Sequence, residues 1–592
     1  MQPVDFTTLS ALRWELQAEW LPSRLEQVYQ RDRFTLCLAL RTIQKRGWLT
    51  ISWHPQAARL HIGDPPPRDP DTFTFSQQVR HQVGNLALVA IAPVAPWERA
   101  LDLQFARRPG DAVLWHLYVE VMGKYSNAIL VNKDHQIVTA AHQVSAHQSS
   151  VRPIQTGQIY TLPPSLTEPA PTLDESQARW RERISLVPGE IRRNLIKNYR
   201  GLSSALVLSM VQAAGLEPTR STDDLLDADW QRLFEGWQTW LKTLERGQFQ
   251  PGWTDFGYTV VGWSLTKPAN SVQDMVHAYY RDRLNEQEFT QLRHQIAQKL
   301  KTILAKLYQK ADTFRSRLDH SDQADRSKDQ ADLLMANLHA WEPGMNAIAL
   351  ADFETGAPVT IPLNPEKNAV LNAQSLYKKH QKLRRTRAAI EPLLSDVQSE
   401  IDYLEQVEAA LSQFDDYQAP EDLDALEEIR EELIQQKYLE DSEYQKPLRK
   451  DDEASQPRKF TSPSGFELLI GRNNRQNDRL TFRTANDYDL WFHTQEIPGS
   501  HVLLRLEPGA IADKKDLQFA ANAAAYHSRA RQSEQVPVTY TQPKHVYKPK
   551  GAKPGTVIYK QERIIWGNPG DFSSCSDADL NSAVNREISQ KD

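Results

Sequence analysis

The order of hydrophobic and polar positions changes character several times along the chain. Through the first 160 or so residues, short helical and strand-like patterns alternate. Ser10 to Tyr29 has helical periodicity, with Leu12, Leu16, Trp20, Leu25 and Val28 able to share one face. Phe34 to Leu40 alternates as a strand does, and Trp48 to Trp53 does likewise. The loop Asp64-Pro65-Pro66-Pro67-Arg68-Asp69-Pro70 is excluded from regular structure, because proline fixes φ and removes an amide donor. A second proline-rich stretch, Pro163 to Pro171, reads as a linker. From about 175 to 275, short helical pieces carry Trp180, Trp230, Trp237 and Trp240. Among them, Gly201-Leu202-Ser203 makes a turn between helical stretches, similar to a helix–hairpin–helix whose amides hold a phosphate. The usual second glycine of such a hairpin is Ser203 here.

A seven-residue period then takes over. Phe289, Ile296 and Ile303 form one row, and Leu300, Leu307 and Phe314 form a parallel one. Further on, Leu383, Ile390, Val397, Leu404 and Leu411 occupy successive heptad positions, supported by Leu394 and Ile401. Pro392 must kink this second helix or mark its effective start. Between the rows lies a strand-like piece, Asn346 to Phe353. This order fits an antiparallel coiled-coil hairpin with a small domain at its tip. An ordinary helical bundle is the alternative.

Composition narrows the function classes. A chain of 592 residues holds about four domains at ordinary domain size. Cys37 and Cys575 are the only cysteines, which excludes a disulfide framework and any cysteine-built zinc site. The N-terminal stretch carries Asp5, Arg13, Glu15 and Glu19 and lacks the apolar core of a secretion signal. No apolar run reaches membrane-spanning length, so a cytoplasmic address and no membrane partner are expected. Net charge is -6, but it is unevenly spread. Glu421 to Asp441 holds nine acids against Arg430 and Lys437. Tyr377 to Arg387 holds Lys378, Lys379, Lys382, Arg384, Arg385 and Arg387 with no acid, and Lys544 to Lys560 holds five lysines with none. Basic patches on a net-acidic protein point to a localised polyanion footprint.

Familiar catalytic motifs are missing: there is no phosphate-binding Walker loop, dinucleotide fingerprint, nucleophile elbow or His-Glu-x-x-His. His493 and His501 flank Pro498-Gly499 without a third strong donor at metal-ligand spacing, so no metal is expected. Contact with RNA, or a satisfied structural role, is left for these imidazoles. Two clusters stand out. Arg472, Asn473, Asn474, Arg475, Gln476 and Asn477 are poor core material, and Tyr488, Trp491 and Phe492 follow closely. Arginine forks suit phosphate, amides read base edges or cap turns, and interleaved aromatics suit RNA. The second cluster joins Trp97-Glu98-Arg99 to Glu120-Val121-Met122-Gly123-Lys124-Tyr125-Ser126-Asn127, read as a glycine turn after a helix. A polar pocket is one outcome, and an ion pair beside a helix cap is the other.

These blocks carry a resemblance. Glu120 to Asn127, Gly201-Leu202-Ser203, Pro362-Leu363-Asn364-Pro365 with Asn372-Ala373-Gln374, and Gly471-Arg472-Asn473-Asn474 resemble signature blocks of the NFACT family. Trp491-Phe492-His493 through Pro498-Gly499-Ser500-His501, and Lys550-Gly551-Ala552-Lys553-Pro554-Gly555, complete the set in the family's order. The resemblance implies an α+β multidomain fold. Its parts would be a glycosylase-like N-terminal domain over 1–172, a helix–hairpin–helix domain over 173–277, a long antiparallel coiled coil with a small middle domain over 278–449, an α/β NFACT-R RNA-binding domain over 450–570, and a flexible tail over 571–592. It implies ribosome-associated quality control. Such a factor binds large ribosomal subunits still blocked by peptidyl-tRNA and recruits charged tRNA, alanyl-tRNA in bacteria. It promotes template-free C-terminal tailing that marks the nascent chain for degradation, with a small RqcP-like RNA-binding partner.

Peptide-bond chemistry would then belong to the ribosome, so no enzyme activity, cofactor or metal is implied. The family's Asp-Arg pair and Glu-Ile-Met triplet for tailing match Glu98-Arg99 and Glu120-Val121-Met122, and two positions differ from the family pattern. RNA contacts in the last domain would fall to Arg472, Asn473, Asn474, Arg475, Asn477, His493, His501, Lys548, Lys550 and Lys553. A basic patch at the coiled-coil base would be Lys378, Lys379, Lys382, Arg384 and Arg385. Two other classes compete: a fibronectin-binding surface adhesin and a DNA glycosylase-like enzyme. Against the glycosylase, the chain begins Met1-Gln2-Pro3, so loss of Met1 would not expose a proline amine, and two cysteines cannot make a zinc finger.

Overall fold

The computed structural model describes the chain except residues 68–69, 146, 150, 165–166, 322, 441–454 and 573–592. Two compact units emerge, Met1–Leu284 and Asn285–Asp592.

The first unit opens with α1 (Phe6–Trp20), capped by the Asp5 carboxylate, which accepts from the Thr8 amide at 2.8 Å. The helix expected over Ser10–Tyr29 stops at Trp20. Pro22 ends it, because a residue preceding proline is pushed out of the α region. Leu25 and Val28 therefore enter the core from a strand. That strand, β1 (Ser23–Asp32), lies in a nine-stranded antiparallel sheet with β2 (Thr35–Arg41), β3 (Arg46–Ser52), β4 (Arg59–Gly63), β5 (Ala87–Pro93), β6 (Ala100–Ala106), β7 (Trp115–Glu120), β8 (Asn127–Asn132) and β9 (Ile137–Ala140). The spatial order is β4-β3-β2-β1-β5-β6-β7-β8-β9, and α2 (Thr74–Val83) packs on β1. Thr35 to Leu40 is buried without a break, so β2 is covered on both faces rather than half-exposed.

A helical subdomain follows: α3 (Gln177–Ser185), α4 (Ile191–Asn198), α5 (Ser204–Ala213) and α6 (Asp227–Arg246). Its tryptophans form a chain of ring contacts, Trp180 to Trp237 at 5.7 Å and Trp237 to Trp240 at 5.2 Å. Trp240 Nε1 donates to Thr7 Oγ1 at 3.0 Å, which ties α6 to α1. Sheet and helices share one hydrophobic core running from Val4 to Tyr280. A small sheet of β10 (Gly252–Thr254), β11 (Gly257–Thr259) and β12 (Lys267–Pro268) leads into a long helix, α7 (Val272–Ser321).

The second unit holds most of α7, then α8 (Gln323–Ala336), a hairpin of β13 (Ala347–Ala351) and β14 (Pro358–Pro362), and α9 (Ala369–Leu411). The predicted antiparallel pairing is present. Tyr308 donates to Glu405 at 2.5 Å and Arg315 to Gln398 at 3.0 Å. Phe289, Ile296 and Leu300 share a core with Val397, Leu404 and Leu411. Pro392 neither starts nor ends α9, which continues through it. The basic residues Lys378, Lys379, Lys382, Arg384 and Arg385 are exposed on the part of α9 that packs against α8, where Tyr377 meets Asp332. They lie toward the β13–β14 hairpin, so their expected place at the coiled-coil base is corrected. The base, where Phe289 meets Phe414, is apolar.

After α10 (Pro420–Gln435) comes a six-stranded sheet in the order β15-β16-β18-β17-β19-β22. Its strands are β15 (Arg458–Thr461), β16 (Glu467–Ile470), β17 (Leu490–Thr494), β18 (Val502–Leu504), β19 (Val536–Thr541) and β22 (Arg563–Gly567). A two-stranded ribbon, β20 (Val546–Tyr547) with β21 (Ile558–Tyr559), precedes β22. Helix α11 (Asn474–Arg479) follows β16, and α12 (Lys514–Tyr526) covers one face of the sheet. The stripe Ala520, Ala521, Ala523, Ala524 and Ala525 lets α12 sit close to the strands. Phe572, assigned by sequence to a tail, is instead buried against Phe460, Phe519 and Tyr526. The rest of that expected tail, 573–592, lies outside the described residues.

Candidate nucleic-acid interface

The turn between β5 and β6 presents Trp97-Glu98-Arg99. Trp97 has φ +62°, a region costly for a bulky side chain, and dense packing holds it there. Its ring stacks on Phe6 at 4.7 Å and meets Trp240 at 5.7 Å. Gly201 (φ +82°) lies beneath it, and a Cβ there would come within 2.6 Å of the indole. The loop joining α4 to α5 therefore docks directly on the Glu98 turn and brings Arg200 to it. Burial raises the Glu98 carboxyl above its ordinary range, and the charges of Arg200 and Arg99 partly offset this. Glu98 Oε1 and Arg200 Nε are both buried without a hydrogen-bond partner. Those two atoms are closed off from solvent, so a ligand would meet Arg99 and the remaining polar atoms of Glu98 and Arg200, all three residues being half-buried.

The second half of the cluster behaves differently. Val121 N donates to Arg99 O at 2.8 Å, tying the two pieces together. Glu120 is 1% exposed and pairs bidentately with Arg152, at 2.9 and 2.5 Å, while Tyr160 donates to it at 2.8 Å. Burial opposes the Arg152 charge, but hydrogen bonding to Glu120 and its charge outweigh this and raise the Arg152 pKa. Val121 is also buried, and Met122 is half-buried with its amide donating to Ser126 Oγ. Direct ligand contact, expected of Glu120 and Val121, is thus corrected to an internal bracing role. The turn at Gly123 (φ +59°) follows strand β7, not a helix.

In the C-terminal sheet domain the polar cluster also turns inward. Asn473 caps α11, accepting from the Gln476 amide, while its own amide donates to Glu428 at 2.6 Å. Asn474 donates to Glu432 at 3.0 Å, Arg475 to Glu431 at 3.0 Å, and Arg472 to Asp422 at 2.8 Å. Asn477 Oδ1 accepts from the His501 amide at 3.0 Å. All these acids stand on α10. Burial raises the Glu432 carboxyl, which also accepts from Tyr403 at 2.7 Å. The RNA-facing expectation for Arg472, Asn473, Asn474, Arg475 and Asn477 is corrected: the first four clasp the chain's own acidic helix, and Asn477 holds the His501 backbone. The run Glu421–Asp441 was visible in the sequence, but its pairing with the amide cluster was not.

His493 and His501 are corrected too. His501 is 2% exposed, contacts Thr481 Oγ1 at 2.7 Å, and is held well below the ordinary imidazole pKa by burial and by His493. Burial pushes His493 down to about 4. Burial favours the neutral form of both, which suits packing inside the domain rather than a cationic contact with phosphate. Among the described residues, no group of three His, Cys, Asp or Glu could hold a metal. Lys548 is ion-paired with Asp478. Lys553 lies over Tyr403 at 4.6 Å and Tyr438 at 4.8 Å, its ammonium pKa lowered by burial. Lys550 is exposed.

Comparison with known proteins bears on this arrangement. Residues 5–452 match the NFACT N-terminal and middle domains, and residues 456–561 match the NFACT protein RNA binding domain. The chain belongs to the NFACT family. Among curated relatives of this NFACT protein is the Rqc2 homolog RqcH of Bacillus subtilis, 29% identical over 94% of this chain and 96% of the relative. The Rqc2 homolog RqcH of Streptococcus suis is 28% identical over the same shares. Solved structures with similarity include the C-terminal part of the fibronectin/fibrinogen-binding protein of Streptococcus suis, at 28% identity and TM-score 0.37, covering 48% of this chain and 95% of that one. The N-terminal part of the same protein matches at 22% identity and TM-score 0.38, covering 47% of this chain and 99% of that one. No helix among the described residues is long and apolar enough to cross a membrane.

Proposed function

We propose that this NFACT protein is a cytoplasmic ribosome quality control factor. It binds large ribosomal subunits that retain peptidyl-tRNA and recruits charged tRNA, alanyl-tRNA by preference, for template-free tailing of the stalled chain. The observation that carries this reading is end-to-end similarity to Rqc2 homologues, together with the RNA binding domain over 456–561. Glu98, Arg99 and Arg200, gathered at the turn between β5 and β6, supply the tRNA contact. Peptide-bond formation belongs to the ribosome. The protein's contribution is positioning, which can remove much of a barrier by converting an encounter into an oriented complex. A small RqcP-like RNA-binding protein is the expected helper. Sequencing RNA crosslinked to the protein in cells tests this: large-subunit rRNA and tRNA are expected, and recovery of neither overturns the reading.

A further inference from the structure

With Asn473, Asn474, His501 and Lys553 committed internally, one group of exposed cations and aromatics in the C-terminal domain lies at an edge of its sheet. β22 is the outermost strand, and Ile564 and Trp566 project from the same face as their register partners Thr539 and Pro537. The opposite face, with Val536, Val538 and Ile565, packs on α12. Toward the sheet centre the first face is closed by Trp491, His493, His501 and Tyr559. At β22 it is open: Ile564 is 53% and Trp566 56% exposed. The neighbouring ribbon adds the cross-strand pair Tyr547 and Ile558, also about half exposed. Lys544, Lys550 and Lys560 are exposed on the ribbon and its flanking turns, and Glu562 is the only acid between residues 543 and 567. Lys560 Nζ stands 5.8 Å from the Tyr547 ring. The strand is rigid, because it pairs with β19 over five residues and its Trp566 carbonyl accepts from Gln518 at 2.7 Å.

We propose that β22 and the β20–β21 ribbon form a platform for unpaired RNA nucleotides, with Trp566 stacking on a base and Lys560 meeting a flanking phosphate. Exposed aromatics ringed by cations suit single strands, whose bases are free to stack, more than duplexes, whose bases are already stacked. A protein strand added at this edge would face an excess of unpaired positive charge and a Trp566 carbonyl already engaged. The inference rests on the RNA-binding reading above and adds a place and a form of RNA. Trp566 lies beyond residue 561, where the domain match ends.

The test uses the full chain, a labelled oligouridylate of about 12 nucleotides and a duplex of equal length. Trp566→Ala should weaken single-strand binding about tenfold, the scale of one lost stacking contact, with little change on the duplex. Trp566→Phe should recover most of the loss. A benzoylphenylalanine photo-crosslinker at position 564, irradiated with large ribosomal subunits present, should attach to RNA. Parent-like binding by Trp566→Ala, or crosslinks confined to protein or to a second copy of the chain, overturns the platform and leaves the general RNA reading standing. If the parent chain binds neither oligonucleotide nor subunits, both fall together.

Discussion

Arg99 and Glu120 belong to one cluster of the sequence, yet their surroundings assign them opposite work. Glu98 and Arg99 stand at a turn where buried polar atoms keep unmet hydrogen bonds. Arg99→Ala should therefore abolish tailing, with tRNA occupancy falling about tenfold or more, the scale of a charged hydrogen bond. Co-sedimentation with large subunits should largely survive. Tailing at the parent rate would refute the role of Arg99. Glu120, by contrast, is sealed against Arg152 and Tyr160. Glu120→Ala would strand a cation among buried groups, and a loss of about 3 kcal/mol is expected in denaturant unfolding. No unfolding change would mean that the pair is dispensable. Both residues are polar and near a glycine turn in the sequence. Partners separate the two acids: Arg152 and Tyr160 engage Glu120, whereas Glu98 keeps an oxygen unpaired.

At the scale of elements, the α10–α11 clasp shows how opposite charges found far apart in a sequence can cancel in the fold. Glu432 Oε1 accepts from both Tyr403 and Asn474, so Glu432→Gln keeps an acceptor there and removes a buried charge. The folded carboxyl has a raised pKa. Its penalty is therefore present above the unfolded carboxyl range and vanishes as pH falls through it. The variant should match or exceed parent stability at pH 7, with the advantage shrinking toward pH 4, as measured by thermal melts across pH. Histidines of β17 and its following loop work with the opposite sign. His493 is depressed to about 4, so its contribution is complete above about pH 6.5 and is lost as pH falls toward the folded value. His493→Gln should flatten stability between those limits, and an unchanged slope would show that another group titrates there.

For the whole molecule, net charge is a poor guide and placement is a good one. Asp422, Glu428, Glu431 and Glu432 of α10 are spent on Arg472, Arg475 and the asparagines, whereas Lys378, Lys379, Lys382, Arg384 and Arg385 remain exposed near the β13–β14 hairpin. Subunit binding should weaken steeply with salt. Lys378→Gln and Lys382→Gln should each reduce the slope of log affinity against log salt by about 1 if these side chains meet phosphate. An unchanged slope places the RNA contact elsewhere.

Local physics made much of this molecule legible. Heptad spacing gave the antiparallel helices, because a seven-residue apolar row buries only against another helix. Prolines marked loops, and motif order carried the family. Local pattern also misled where it stopped short of context: Leu25 and Val28 continue a helical period but sit on a strand beyond Pro22. The sequence by itself therefore determined the element types over long periodic stretches, the uneven charge and the family. Tertiary structure alone decided which polar groups face solvent. It turned Asn473, Asn474, Glu120 and His501 inward and left Lys560 and Trp566 at the surface. The physical reason is that a polar side chain's role depends on whether a partner from a distant segment satisfies it. That pairing is set by packing, not by neighbours in the chain.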